Sequence, residues 1–303
     1  MLPTFPAFAP LEPSSGGAIR AFTDPFEPYS DFNFTSIWCW SGTDAAASTC
    51  RGNLVLRMPD YESRQPFLTV LGSTELDACV GELLDAAASL GAEPELQLVP
   101  SVIADQLDPT RFEVTDDRDA ADYVLDAAAN AALSGREYAS LRGDRNRYLR
   151  AYGARTTTST IGLAELLSKH PASLEELYEL WRSTSTSTTA SDDERVALTR
   201  LGEVAPFEAI DVIHVYIDDR VAGVSVVERL AHDFQLVHFS KFDRSVPGLA
   251  ARMALAEAQY ALDHGVRYIN IEQDLGIEGL RARKLRERPA RFLEKRVVRR
   301  RPS

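Results

Sequence analysis

The chain has 303 residues, 45% of them hydrophobic and 26% charged, with 17 Gly, 16 Pro and 3 Cys. That composition excludes collagen-like, disordered and disulfide-scaffold proteins, and the length suits two domains, each able to bury a core. The formal net charge is −12 but unevenly spread. From Arg281 to Ser303 eleven basic residues face only Glu287 and Glu294, so that segment carries +9 and residues 1–280 carry −21. A second basic cluster, Arg142, Arg145, Arg147 and Arg150 against Asp144, lies mid-chain. An acidic body repels polyanions at long range, yet local basic clusters can still hold phosphates. Cys39, Cys50 and Cys79 make no C-x-x-C pair, so buried reduced thiols are expected and a metal site is not. With no basic leader and no run of about 18 apolar residues, the expectation is a soluble, cytoplasmic protein.

Residues 1–30 are Pro-rich and read as an extended segment wrapping the first domain, with Ser14-Ser15-Gly16-Gly17 inside it. Leu54–Leu56 and Phe67–Leu71 have strand character. Thr74 is the predicted N-cap of a helix whose apolar face is Leu76, Val80, Leu83, Leu84, Ala87 and Leu90, stopped by Gly91. A strand over Glu95–Val99 and a short helix near Ser101–Leu107 follow, then two strands at Phe112–Thr115 and Asp122–Leu125. A basic helix is predicted next, with Tyr138, Leu141 and Tyr148 as its apolar side. Ser183–Thr189, reading STSTSTT, suits a mobile loop and a possible lid.

The second half repeats the order. Val212–Ile217 and Val221–Val227 form a predicted hairpin, Phe234–Phe239 a third strand, and Leu249, Met253, Ala256 and Tyr260 the spacing of a helix that ends at Gly265. Tyr268–Glu272, Glu278–Glu287 and Phe292–Val298 read as strand, helix and closing strand. Aligning Phe67–Gly91 with Phe234–Gly265 leaves seven extra residues in the second copy, in the loop Ser240–Pro247. This order resembles the GNAT acyltransferase fold in tandem. The expected fold class is therefore α/β (α+β), two tandem GNAT-like domains joined by a basic helix. The expected boundaries are 1–140 for a first domain without its own active site, 141–154 for the linker helix, and 155–303 for the catalytic domain. In a GNAT domain the loop and helix N-terminus after the central strand hold the donor's pyrophosphate, and only the second copy has room for such a loop.

Three stretches in order carry a more specific resemblance. They are Asp31–Trp40 (DFNFTSIWCW), Asp122–Tyr148 with its Leu133-Ser134-Gly135-Arg136 and Arg145-Asn146-Arg147-Tyr148, and Asn270–Arg281 (NIEQDLGIEGLR) followed by Lys284 and Pro289. Together they resemble the C-terminal domain family of phosphatidylglycerol lysyltransferases over roughly residues 30–298. The resemblance implies an acyltransferase moving an aminoacyl group from aminoacyl-tRNA to an amine or hydroxyl acceptor, on a small molecule or a lipid headgroup. It implies no permanently bound cofactor. Acyl-CoA is the alternative donor, and a non-catalytic tRNA- or partner-binding relic of the fold is a third reading. Ser245-Val246-Pro247-Gly248-Leu249-Ala250 keeps the Gly and Ala of a pyrophosphate loop but begins with Ser where Gln or Arg is wanted, which weakens coenzyme A.

Acyl transfer needs a base for the acceptor, a stabiliser for the oxyanion and a hold on the leaving group. Asn270, Glu272 and Asp274 alternate at a strand end and should share a face. They are the candidate catalytic cluster, with His238 on the preceding strand as a further base and Glu228 as its competitor. Asp274 could instead cap the following helix, and Glu272 could pair with Arg281 or Lys284. Ser245, Gly248, Ala250, Arg281 and Lys284 are the candidate donor-binding residues. Arg142, Arg145, Asn146 and Arg147 are candidates for tRNA or other phosphates, since Arg–phosphate contacts add affinity without reading sequence.

Overall fold

The structure, a computed structural model, describes residues 2–61, 63–184 and 190–302. In chain order its elements begin with β1 (Ala9–Pro10), α1 (Gly16–Thr23), α2 (Phe34–Ser41), β2 (Ala46–Cys50), β3 (Asn53–Pro59) and β4 (Pro66–Leu71). They continue with α3 (Leu76–Ala86), β5 (Glu95–Pro100), α4 (Ser101–Ala104), β6 (Phe112–Asp126), α5 (Ala127–Ala132), α6 (Ala139–Tyr152), β7 (Thr156–Gly162) and α7 (Leu163–Lys169). The rest are α8 (Ser173–Thr184), α9 (Ala190–Val204), β8 (Ile210–Ile217), β9 (Arg220–Leu230), β10 (Phe234–Phe242), α10 (Leu249–Asp263), β11 (Tyr268–Asn270), α11 (Glu278–Arg286) and β12 (Arg291–Arg300). This is a mixed α/β fold. Residues 185–189, most of the predicted STSTSTT loop, lie outside the described residues.

The chain forms two compact units, one running up to Asp122 and including Leu293 onward, the other Tyr123–Phe292. These boundaries differ from the expected division at 140 and 155. The basic helix α6 lies inside the second unit, and the chain's last strand belongs to the first. In the first unit β2, β3 and β4 are antiparallel, β4 and β5 parallel, and β12 closes on β5 antiparallel. In the second, β7 to β10 are antiparallel, β10 and β11 parallel, and the end of β6 closes on β11 antiparallel. Each unit is thus completed by a strand that sequence order assigns to the other. Pattern reading misses this because a strand's alternation records which face is buried, not which sheet receives it. The expected strands at 112–115 and 122–125 are one long strand, β6.

Two local differences have simple causes. The Ser-Gly stretch after Pro13 starts helix α1, where Ile19 is fully buried and gives the turn a reason to form. Helix α3 is preceded by Glu75 at φ 43°, not capped by Thr74, whose N–H is held by Asn53 Oδ1 at 2.9 Å. Gly91 stops the following turn in the left-handed region (φ 73°), as expected. The three cysteines are buried and none of them is in a disulfide.

The first resembling stretch is structural. Asn33 caps α2 by accepting from Ser36 N at 2.9 Å, and Phe34, Ile37, Trp38 and Cys39 are buried around the helix. Asp31 and Asp122 both accept from the fully buried Lys295 of β12, the latter at 2.8 Å. Ser30 donates to Asp122 through N–H (2.7 Å) and hydroxyl (2.6 Å), and Tyr61 Oη donates to Asp31 at 2.9 Å. Burial alone would lower the Lys295 pKa, but Asp122 and Asp31 hold it above the ordinary lysine value. A buried ammonium thus marks where β12 must lie in the first unit.

Candidate active site

In the second unit one row of the sheet runs Ile210, Glu228, Leu236, Asn270, Val124 across β8, β9, β10, β11 and β6. Their sequence neighbours Val227, Val237, Ile269 and Ile271 pack into the core with Leu249, Met253 and Ala256 of α10. Strand alternation therefore puts Glu228 and Asn270 on the face away from α10. Pairing between the parallel strands β10 and β11 ends at Leu236 and Asn270. Beyond that point the chain stays with β6, through Ile271 N to Tyr123 O (3.0 Å) and Tyr123 N to Glu272 O (3.1 Å). The parallel strands so part at their C-terminal ends, which is where open α/β sheets place ligands.

The parting is lined by His238 and Glu272. His238 is a bulge residue, because Val237 faces Val227 while Phe239 already faces Val226. A bulge turns its side chain out of the regular register, a common device beside active sites. His238 Nε2 lies 3.0 Å from Glu228 Oε2, and Nδ1 lies 4.0 Å from Glu272 Oε1. The His238 side chain is only 2% exposed and that of Glu272 20%, so Glu272 is the member that meets an incoming molecule. Glu272 sits at φ 60°, a conformation uncommon for a non-glycine residue, and its N–H donates to Asn270 Oδ1 at 2.7 Å.

Asp274 has a different role from the one expected of a free base. Fully buried, it accepts from Arg281 Nε (2.9 Å) and Nη2 (2.8 Å), from Tyr123 Oη (2.5 Å) and from Gly276 N (2.9 Å). Burial alone would raise its pKa, but the Arg281 fork, the Tyr123 hydroxyl and the Gly276 N–H hold it well below the usual carboxylate range. Arg281 is therefore occupied by Asp274. Lys284, also buried, donates to the carbonyls of Ile271 (2.5 Å) and Gln273 (2.6 Å). Both cations, expected on the donor, instead fix the loop that carries Glu272. Tyr123 carries no sequence signal for this role, since 151 residues separate it from Asp274.

The other candidate donor residues lie in the loop before α10 and in its first turn. Ser245 donates through N–H (2.8 Å) and hydroxyl (2.6 Å) to Asp243 Oδ1, and Ala250 is exposed in the first turn of α10. Gly248, at φ 83°, lets α6 approach: a Cβ there would lie 2.5 Å from the Asp144 carbonyl oxygen and 3.0 Å from Tyr148 Cβ. In α6, Arg142 donates to the carbonyls of Leu133 and Gly135, and Arg145 to that of Ala131 at 3.2 Å. These two arginines cap the end of α5 and the turn after it. Arg147 pairs with Asp144 at 3.2 Å, Arg286 joins α11 to the same carboxylate, and Asn146 is exposed.

A deeper carboxyl lies on the α10 side of the sheet. Glu257 accepts from Ser225 and Ser240 hydroxyls, each at 2.7 Å. Burial raises its pKa to about 7 against the lowering by those two hydroxyls. Among the described residues no helix is long and apolar enough to cross a membrane.

The family model for the C-terminal domain of phosphatidylglycerol lysyltransferase matches residues 24–298. No curated protein matches. Among solved structures, a conserved protein of unknown function from Bacteroides thetaiotaomicron is similar with TM-score 0.80 and 22% identity, covering 98% of this chain and 99% of that one. The C-terminal domain of a putative lysylphosphatidylglycerol synthetase from Agrobacterium fabrum gives 0.62 and 14%, covering 95% and 92%. L-PGS from Bacillus licheniformis gives 0.61 and 14%, covering 97% and 94%. At these identities the structural likeness speaks for the fold, and the family model, spanning nearly the whole chain, for the lineage: the chain belongs to the phosphatidylglycerol lysyltransferase C-terminal family and is an acyltransferase.

Proposed function

We propose that the protein moves an aminoacyl group from aminoacyl-tRNA to a hydroxyl or amine acceptor, a lipid headgroup first and a small molecule second. Two GNAT-like domains would carry this out, with the site in the second. The observation that carries the reading is the grouping of Glu228, His238 and Glu272 at the parting of β10 and β11. Glu272 is the proposed base: it takes the acceptor's proton while the acceptor oxygen or nitrogen bonds to the ester carbonyl carbon. The carbon–oxygen bond to the tRNA ribose then breaks, and the proton passes to the departing ribose oxygen. His238 and Glu228 are positioning residues behind Glu272, and Asn270 holds its backbone. The Asp144 carbonyl oxygen, 2.5 Å from where a Cβ on Gly248 would stand, supports tRNA over acyl-CoA, because it crowds the α10 N-terminus with a negative dipole end where a pyrophosphate would have to sit.

The test is to incubate the protein with charged tRNA and with acyl-CoA separately, each with phosphatidylglycerol, and follow loss of each donor. Consumption of charged tRNA alone is expected. Glu272→Gln should lower it about a hundredfold or more, within the usual worth of a general base, with an unchanged melting temperature. Consumption of acyl-CoA alone, or full activity in Glu272→Gln, would overturn the reading.

A further inference from the structure

Past Asp274 the chain makes a loop with an unusual economy. Leu275 and Gly276 both have positive φ (54° and 71°), and Ile277 N closes on the Asp274 carbonyl at 3.0 Å. Two cations, one a buried lysine, fix the base of this loop through the Arg281 fork and the Lys284 carbonyl contacts. Yet the loop presents large apolar side chains to water: Leu275 is 41% exposed and Ile277 53%, with Leu285 of α11 at 42%. A fixed base under half-exposed apolar tips is the arrangement of a presented surface, since roughly half of each side chain's area is left facing water.

The charges around these tips are mostly positive. Arg283, Arg286 and Arg288 are exposed on the same segment, against one exposed acidic residue, Glu278. Arg283 reaches Glu287 at 3.6 Å, Arg288 donates to the Glu137 carbonyl at 3.1 Å, and Arg286 pairs with Asp144. The last contact joins α11 to α6, whose exposed Arg147 and Arg150 extend the basic surface. The chain as a whole carries −12, so a basic face with apolar tips is also the orientation in which an anionic surface would accept the protein.

We propose that Leu275, Ile277 and Leu285, flanked by Arg283, Arg286 and Arg288, dock on the headgroup region of an anionic bilayer and bring the Glu272 cleft to it. This rests on the lipid-acceptor reading above and names the surface that delivers the acceptor. Apolar tips enter the headgroup boundary while the arginines stay at phosphate level. Glu272 lies three residues before Leu275, so docking places the proposed base at the membrane face.

The experiment is cosedimentation of the full chain with vesicles of equal parts phosphatidylcholine and phosphatidylglycerol, and with vesicles of phosphatidylcholine alone. Binding to the mixed vesicles and about tenfold less to the neutral ones is the expected result. Leu275→Asp and Ile277→Asp should each cut binding about tenfold or more, and Arg283→Ala with Arg288→Ala about tenfold together, all with unchanged melting temperatures. Transfer to a water-soluble glycerophosphate acceptor should be unchanged in these variants. Equal binding to both vesicle types overturns the proposal, as does full binding by Ile277→Asp. Loss of a dimer by light scattering, or of tRNA binding in place of vesicle binding, would overturn it in favour of self-association or of an RNA surface. Vesicle binding requires no acyl transfer, so its absence beside intact soluble transfer condemns the docking alone, and its presence without consumption of charged tRNA condemns the transfer reading alone.

Discussion

Glu272 and Asp274 lie two residues apart and meet opposite fates. Asp274 is saturated by Arg281, Tyr123 and Gly276, so its carboxylate is a fixed anion that shapes the loop. Replacing it with Ala removes the carboxylate that Arg281, itself about one-third exposed, and Tyr123 both bond. Allowing for that exposure, Asp274→Ala should cost about 2 kcal/mol in urea unfolding and should also lower transfer. Glu272→Gln should lower transfer alone. If Asp274→Ala kept wild-type stability, the clamp assigned to Arg281 would be wrong. Because its folded-state pKa is depressed, Asp274 stabilises fully above its unfolded value, and that stability is lost as the pH falls through the folded value. The pair's alternation is visible in sequence. Which carboxylate would take Arg281 is not, because only the folded loop turns Asp274 towards it and leaves Glu272 beside His238.

Helix α10 sits on the sheet through an acid rather than through apolar contacts alone. Glu257 is held by Ser225 of β9 and Ser240 of β10, with Glu287 raising and Arg283 lowering its pKa from α11. Its folded-state pKa of about 7 lies above the unfolded 4.5, so the folded form binds its proton more tightly. Stability from this group is complete below about pH 4.5 and falls as the pH rises to about 7, by roughly 3 kcal/mol in all. Glu257→Gln should remove that dependence and make the variant the more stable protein at pH 8 or so. Chemical denaturation at both ends of the range checks it, and an unchanged slope in the variant would assign the dependence to another group. Close packing at this element is also set by Gly223, where a Cβ would meet Met253 Sδ at 2.5 Å.

The first unit is closed by the last strand of the chain. Lys295 on β12 pairs with both Asp31 and Asp122, and no other register of β12 places an ammonium there. Lys295→Met leaves two buried carboxylates facing each other and should destabilise by about 3 kcal/mol or more, measured by urea unfolding. Removing β12 altogether goes further, since it also strips β5 of its hydrogen-bonded neighbour. Proteolysis of that truncated chain should begin in the first unit, at β5 and the Asp31 turn. Cleavage starting in residues 123–292 instead would show that β12 is dispensable to the first unit.

Periodicity and turn residues by themselves determined the α/β class and the helix faces of α3 and α10, and the resemblance of three stretches pointed to the family that the family model shows. These are properties of short segments, where a 2.0 or 3.6 residue period and a Gly or Asn stop suffice. Only the tertiary structure decided that the end of β6 and β12 complete the opposite units, that Asp274, Arg281 and Lys284 fix the loop that carries Glu272, and that Arg142 and Arg145 cap carbonyls. The strand closures depend on partners far away in sequence, while Arg281 and Arg142 find theirs seven to nine residues away, and a charge shows in the sequence without showing which of several near groups will hold it.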